Sequence, residues 1–492
     1  MPHIFNNSRL AATFFWTISS VRWQIAAITC LACGSILAAE PTYDLNVGPE
    51  SPQVQQVKVV LEAKGDLKLN PDGKELKRVP MQVKGTLEYQ ERFFDGKSTA
   101  ATKKTVRYYS QAAVTMQINE GQAEQQLRDS RRLIACHLGG DSATLFSPMG
   151  PLTREELDLI EAPGNSAALA MLLPGKRVAL RETWQLKEAV IARLVGLETV
   201  AEQDVVATFS RVDDGVAIIS LAGKVKGAIG GVSSELELAA KMNFDLKRKM
   251  VTWLAMSLEE QRAIGHAQPG YDATTRVRVQ CEPAELAPEL TDKSLAGLPL
   301  KMKPGSTLLE FEAEKAGYAF VHDRRWQVVV DRLDGSILRF IDHGDLIAQC
   351  NINKLRDLPK GEKLSLEAFQ EDVKRTLKRS FGQIAEAAQQ QTEAGLRELK
   401  VAVAGKSSDL PILWTYYHLS DEQGRRVAFV FALEEKLLSR FAAVDRELLG
   451  AFRFVDAPKT AAASEPTPAT PAGEPAVEKS AAREATDAVK TK

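Results

Sequence analysis

The sequence has few of the residues on which most metal and redox sites depend. Its 492 residues include five cysteines and six histidines. No two of the histidines are spaced i, i+2 or i+4, so the sequence offers no local zinc pair. Acidic and basic residues nearly cancel, at 64 against 63. Nucleic-acid-binding proteins usually carry a basic excess or stripe. We therefore expect no metal, no cofactor and no nucleic-acid partner.

The common catalytic motifs are also missing. The chain contains no Gly-x-Ser-x-Gly, Ser-x-x-Lys, His-Glu-x-x-His, Walker phosphate loop or Gly-x-Gly-x-x-Gly. The glycines at 223, 227, 230 and 231 lack the Lys-Ser/Thr of a phosphate loop, and we interpret them as a bent or bulged hairpin. A spatially assembled hydrolase site stays open, with His137, Asp141 and Ser142 as its candidate residues. The favoured expectation is that the protein is not an enzyme.

The first 39 residues have the pattern of a secretory signal. They contain Arg9 and Arg22 but no Asp or Glu, and an apolar run from Ile25 ends at Leu37-Ala38-Ala39. That run is shorter than the roughly 20 residues that span a bilayer. We expect an exported protein, periplasmic or extracellular, with no transmembrane span after cleavage. Lipid attachment at Cys33 is the alternative, although Cys30 stands where a lipobox has leucine.

Three cysteines remain after the signal, and each follows an apolar, strand-like stretch: Cys136, Cys281 and Cys350. An odd number leaves at least one free thiol in an exported protein. We expect buried, inert cysteines, while a bridge between Cys136 and Cys281 is left open.

Residues 40–282 alternate apolar and polar side chains, as in long antiparallel strands with one buried face. The clearest stretch is Glu235–Leu246, where the even-numbered residues are apolar or small. A helical insertion is predicted over about 150–196, with helices at 154–160, 167–173 and 186–194. Thr153 and Asn165 or Ser166 are suitable caps for the first two.

Four prolines within residues 283–305 predict a linker. Residues 306–456 then read as an α+β domain of strands, a helix from Ser365, more strands and a closing helix at 435–449. From residue 457 the chain is rich in Ala, Pro, Thr, Glu and Lys and has no aromatic residue. Such a segment cannot bury enough apolar surface to fold, so we predict a disordered tail over 457–492.

The C-terminal domain resembles the PsbP/Mog-type α/β/α sandwich family. The residues that carry this resemblance are Gly317–Phe320 with Trp326, Gln349–Ile352, the helix from Ser365, Leu410–Tyr417, Val427–Phe431 and Phe452–Phe454. The resemblance implies a non-enzymatic binding or assembly module and transfers no catalytic residue.

The N-terminal domain resembles, more weakly, bacterial envelope proteins such as the LolA/LolB lipoprotein carriers. Leu172-Leu173-Pro174-Gly175-Lys176, with Val178 and Trp184, is similar to an element of exported domains without an assigned function. This resemblance implies a curved antiparallel sheet that holds a helical plug. No site residue is carried over from it.

These patterns predict an exported, non-catalytic binding or scaffold protein of the cell envelope. The first alternative is a carrier of a lipid or other apolar ligand inside the curved sheet. Its candidate walls are Met171, Leu172, Leu173, Met242, Phe244 and Trp253. On the C-terminal domain, Trp414, Tyr416 and His418 share one strand face, which favours an aromatic core but leaves a ligand-facing wall open.

Overall fold

The computed structural model describes residues 41–48, 50–70, 75–94, 104–139 and 142–456. The predicted signal with Cys33, the predicted tail and Asp141 lie outside this described part. Within these ranges no helix is both long and apolar enough to cross a membrane. We call residues 41–282 the sheet module, 283–305 the strap and 306–456 the second module.

Strands dominate the sheet module. They are β1 Thr42–Asp44, β2 Val54–Leu69, β3 Lys77–Phe93, β4 Lys104–Ile118, β5 Gly121–Gln126, β6 Leu133–Gly139, β7 Ser142–Phe146, β8 Arg177–Ala179, β9 Thr183–Gln185, β10 Thr199–Gln203, β11 Val206–Asp213, β12 Val216–Ile229, β13 Val232–Asp245, β14 Met250–Arg262 and β15 Gly270–Pro283. Thirteen of them form one sheet in the order β7-β6-β4-β3-β2-β15-β14-β13-β12-β11-β9, with β5 beside β4 and β10 beside β12. The remaining two, β1 and β8, pair with each other, and every pairing is antiparallel.

The alternation in the sequence explains why this sheet has one buried face. In β13, Leu236, Leu238, Met242 and Phe244 are buried, and the intervening side chains face water or are half-buried. The glycine-rich stretch is the predicted hairpin, because Gly230 and Gly231 form the turn between β12 and β13 with φ of 54° and 71°. We call the buried side the inner face.

Short helices cover the inner face. Helix α1, Arg154–Ile160, begins with a capping box in which Thr153 and Glu156 bond each other's backbone N–H. A 3₁₀ helix follows at Ser166–Leu172, and α2, Glu188–Val195, ends at Gly196 in the left-handed conformation. The helices and the inner face share one hydrophobic core. These helical segments all lie between β7 and β10 in the chain.

The strap is packed along the sheet module. It contains a 3₁₀ turn at Pro288–Leu290 and the short helix α3 at Asp292–Leu295. Leu290 and Leu295 are buried against Val106 and Leu133. Arg92 Nη1 donates to the Leu290 carbonyl at 2.7 Å. The predicted linker is therefore an ordered connection that is fixed to the outer side of the sheet.

The second module contains two antiparallel sheets. Its strands are β16 Leu309–Ala313, β17 Tyr318–His322, β18 Trp326–Arg332, β19 Gly335–Asp342, β20 Asp345–Leu355, β21 Phe381–Gln391, β22 Arg397–Ser407, β23 Leu410–Ser420, β24 Arg426–Glu434 and β25 Arg453–Phe454. Seven are ordered β18-β19-β20-β24-β23-β22-β21, and three are ordered β16-β17-β25. Helix α4, Leu366–Leu377, covers one face of the larger sheet.

Two details of the second module differ from the sequence-based expectation. The predicted closing helix at 435–449 is divided into a 3₁₀ turn at Glu435–Leu437, α5 Leu438–Phe441 and α6 Val444–Gly450. The break lies at Ala442, whose φ of 46° is incompatible with a continuous helix. Strand β21 was not expected at all, since its Ala, Glu and Gln residues favour helices.

Candidate functional site

The sheet module and the second module are in direct contact. Leu152, just before α1, pairs with Leu309 of β16 as a parallel bridge, and the Glu310 N–H donates to the Leu152 carbonyl at 2.8 Å. Arg324, in the turn after β17, donates to the Leu145 carbonyl and lies 3.4 Å from the Glu161 carboxylate. Backbone and charged side chains therefore both hold the modules together.

Two glycine turns meet at this contact. The Gly230-Gly231 turn faces the turn that contains Gly344 of the second module. A Cβ added at Gly231 would lie 1.8 Å from the Gly344 Cα, whereas one added at Gly230 would have no neighbour within 4 Å. The modules thus pack backbone against backbone at this point, with no room for a side chain at Gly231.

A cavity of about 380 Å³ lies between the modules, and we call it the interface cavity. The floor comes from the inner face of β2, β3 and β4, and one wall from α1 and residues 161–165. The second module closes it with Arg324, Arg325, Gln327, Ile341 and His343. Its volume falls in the range of small-molecule sites, about 300–1,000 Å³.

The floor contains a buried ion pair. Glu91 of β3 and Arg107 of β4 are direct cross-strand partners, and Arg107 Nε donates to Glu91 Oε1 at 2.9 Å. The Gln55 amide, the Thr105 hydroxyl and the Ser166 hydroxyl also donate to the same carboxylate, at 2.9, 2.8 and 2.6 Å. Both charges are therefore fully supplied with partners even though neither reaches bulk water.

Burial and ion pairing shift the pKa values of Glu91 and Arg107 in opposite directions. Burial raises the pKa of Glu91, but Arg107 and the donated hydrogen bonds outweigh it and leave the pKa lowered. Burial lowers the pKa of Arg107, and the adjacent Glu91 more than reverses that effect. Both shifts favour the ionised forms of the pair.

Two tyrosines complete the floor. The rings of Tyr89 and Tyr109 lie 4.7 Å apart, and the Arg107 guanidinium lies 4.9 Å from the centre of the Tyr89 ring. The Tyr89 hydroxyl is 2.8 Å from Ser166 Oγ. Burial raises the pKa of both phenols, so both remain protonated.

Two carboxyl groups of the wall are only weakly acidic. Burial raises the pKa of Asp158 to about 6 and that of Glu161 to about 7. Arg154 and Arg324 oppose the shift without cancelling it. The wall of the cavity therefore loses negative charge as the pH falls below neutrality.

Five of the predicted apolar ligand walls fill the core of the sheet module and do not line the interface cavity. Leu172, Leu173, Met242 and Phe244 are buried in that core, and Met171 packs against it. The sixth, Trp253, lies on the other face of the sheet. It pairs with Asn243, while its neighbour Leu254 pairs with Met242 on the inner face. It borders an open trough of about 670 Å³ on the outer face.

The three predicted residues of the second module lie under α4. Trp414, Tyr416 and His418 are buried, and the His418 ring lies 5.8 Å from the Phe369 ring. Burial, with Arg426 and Arg397, lowers the pKa of His418 to about 4. None of the three lines the interface cavity.

The candidate hydrolase residues are only partly described. His137 Nε2 lies 2.9 Å from the carbonyl of Leu300 in the strap. Asp141 and the Ser142 side chain lie outside the described part, so this set stays a prediction. Cys136, Cys281 and Cys350 are buried and unbridged. Among the described residues no group of three or more His, Cys, Asp or Glu could hold a metal ion.

Sequence reasoning missed the polar floor of the cavity. One signal was present: Glu91 follows Leu87 and Tyr89 at two-residue spacing, and Arg107 precedes Tyr109 in the same way. A charge at a position of the buried face requires partners. The walls gave no such signal, because they come from segments far apart in the sequence.

No protein-family model matches the chain, and no curated protein matches it. Cyanobacterial PsbP (CyanoP) from Synechocystis sp. PCC 6803 is similar in structure at a TM-score of 0.25 and 14% identity, over 32% of this chain and 99% of that chain. The Saccharomyces cerevisiae Ran-binding protein Mog1p is similar at a TM-score of 0.24 and 12% identity, over 30% of this chain and 96% of that chain. Lipovitellin is similar at a TM-score of 0.29 and 7% identity, over 48% of this chain and 26% of that chain. All three TM-scores are below 0.5, so these similarities establish neither family nor function.

Proposed function

We propose that this chain is an exported, non-catalytic binding protein of the cell envelope whose small-molecule ligand occupies the interface cavity. In this proposal the second module is a PsbP-like sandwich that closes a site built on the curved sheet. The observation that carries the proposal is the cavity itself, which combines a polar, fully buried floor with a wall from each module.

The lining favours binding over catalysis. Among the described lining residues there is no serine or cysteine, and the one histidine, His343, has a side chain that is 89% exposed. The floor charges are paired with each other rather than activating a nucleophile. We place the ligand here and not inside the sheet, because five of the six apolar residues predicted for a carrier in the sheet module are buried in its core or pack against it.

The test is native mass spectrometry of the full chain purified from a bacterial host, followed by solvent extraction. We expect a small-molecule adduct on the wild-type protein. Gly231→Ala should reduce its occupancy at least severalfold, because the added Cβ must displace the Gly344 turn of the second module.

Gly215→Ala is the matched control. Gly215 lies in the turn between β11 and β12 at a similar positive φ, does not line the cavity, and an added Cβ there meets no atom within 4 Å. The adduct should survive in this variant. A wild-type protein without any adduct, or equal occupancy in both variants, would contradict the proposal.

A further inference from the structure

Two side chains that line the interface cavity carry hydrogen-bond donors that the protein leaves unused. The Tyr109 hydroxyl is buried and has no hydrogen-bond partner among the described residues, although Arg107 lies nearby. The Arg154 Nε is likewise buried without a partner among them. Both residues line the cavity. Buried polar atoms without partners are rare in native proteins, and each one requires an explanation.

The hydrogen-bonding roles of the Tyr109 hydroxyl and the Arg154 Nε define what a ligand must offer. An arginine Nε–H can only donate, and a protonated tyrosine hydroxyl can donate as well. A ligand that satisfies both must therefore present acceptor oxygens in the cavity.

The lining carries more arginines than carboxyl groups. Five arginines line the cavity, at positions 107, 154, 193, 324 and 325, against three carboxyl groups, at 158, 161 and 198. Carboxyl groups outside the lining pair with two of these arginines: Glu91 with Arg107, and Asp323 and Asp342 with Arg325. Burial raises the pKa of Asp158 and Glu161, which reduces their negative charge near neutrality.

Apolar side chains also line the cavity. Val59, Leu87, Leu157, Ile160 and Leu197 lie between the polar groups. A ligand that fills the cavity must therefore have an apolar body as well as a polar head.

We propose that the interface cavity binds a small amphipathic anion, whose carboxylate or phosphate oxygens accept hydrogen bonds from Tyr109 and Arg154. This inference rests on the proposed function and specifies the ligand class. The apolar part of the anion lies against the side chains of the sheet floor and α1.

The test is calorimetric titration of the solvent-extracted full chain with decanoate, decyl phosphate and decan-1-ol. The three probes share one alkyl chain and differ in the head group. We expect at least one anion to bind about tenfold more tightly than the alcohol. Whether decanoate or decyl phosphate binds better distinguishes a carboxylate from a phosphate head.

Tyr109→Phe removes the donor hydroxyl and leaves the ring in place, so it should weaken anion binding by about tenfold, because hydrogen bonds to charged groups are strong. Tyr43→Phe is the control. Tyr43 is half-buried, packs on Phe209 and does not line the cavity. Loss of the Tyr43 hydroxyl should leave the affinity for the anion unchanged.

Equal affinity for the alcohol, or no effect of Tyr109→Phe, would overturn the anion inference. The proposed function would stand in both cases if the purified protein still carries an adduct. Failure of all three probes together with an adduct-free protein would overturn both proposals.

Discussion

Glu91 of the sheet module and His418 of the second module are both almost completely buried polar side chains on strands, yet their surroundings differ. Glu91 accepts four hydrogen bonds and faces an arginine. The His418 ring nitrogens have no partner among the described residues. A buried group that must stay charged needs partners, whereas an imidazole can be buried alone by remaining neutral. The Glu91–Arg107 pair therefore forms a polar floor for the interface cavity, and His418 is part of an aromatic core.

The largest effect should follow from removing one side of the ion pair. Arg107→Met leaves Glu91 buried without its countercharge, and we expect a loss of about 3–5 kcal/mol in the free energy of unfolding. Urea denaturation measures it. Arg276→Met is the control, because Arg276 is exposed on β15 and should change stability by less than about 0.5 kcal/mol.

The double variant Glu91→Leu/Arg107→Met sharpens the same comparison. With neither charge left, it should recover most of the loss, since apolar replacements of a buried pair are often neutral. A double variant as unstable as Arg107→Met would show that packing, and not the unpaired charge, determines the effect.

A smaller effect, visible mainly as a pH dependence, is expected at His418. Its folded pKa of about 4 is below the unfolded value of 6.5, so the unfolded chain binds the proton more readily. His418 therefore contributes stability that is present above about pH 6.5 and is lost as the pH falls towards 4. Relative to wild type, His418→Leu should gain about 2–3 kcal/mol between pH 7 and pH 4.

The measurement is urea denaturation of both proteins at several pH values. Tyr416→Phe is the control, because burial raises the pKa of the Tyr416 phenol, so this group does not titrate between pH 4 and pH 7. Parallel curves for wild type and His418→Leu would contradict a neutral, unpartnered imidazole in the core.

The smallest effect is expected at Glu161, which is intermediate between the two cases because it has one partner and a side chain that is 37% exposed. Its folded pKa of about 7 lies above the ordinary value of 4.5, so its contribution to stability falls as the pH rises from 4.5 to 7. Glu161→Gln should therefore raise the melting temperature relative to wild type by more at pH 8 than at pH 5. Glu182→Gln is the control and should show no such difference, because Lys176 and the Ala179 N–H lower the pKa of Glu182 and keep it ionised from pH 5 to pH 8.

Secondary structure was predictable where a single pattern of apolar and polar residues runs through a whole segment. Strand β13 alternates over its whole length, and α1 carries an evident cap at Thr153. Strand β21 was not predictable in this way, because pairing with β22 overrides the helix propensity of its Ala and Gln residues. Likewise, nothing in the sequence at Ala442 indicates the break in the closing helix.

The candidate site was less predictable than the fold. Of the six apolar residues assigned to a ligand in the sheet module, five are buried in its core or pack against it, and Trp253, next to a register shift in the pairing of β13 with β14, lies on the other face. The sequence pattern of an apolar face does not show whether its residues contact a ligand or one another. The cavity arises from the contact of two modules, which no local pattern encodes.

The strap has a consequence for anyone who wishes to separate the modules. A truncation at residue 283 would remove Leu290 and Leu295 and uncover Val106 and Leu133 on the outside of the sheet. The Arg92 guanidinium and the His137 ring would lose their carbonyl acceptors at the same time. A fragment cut there would present a new apolar patch to solvent, so a soluble sheet module must retain the strap to about residue 300.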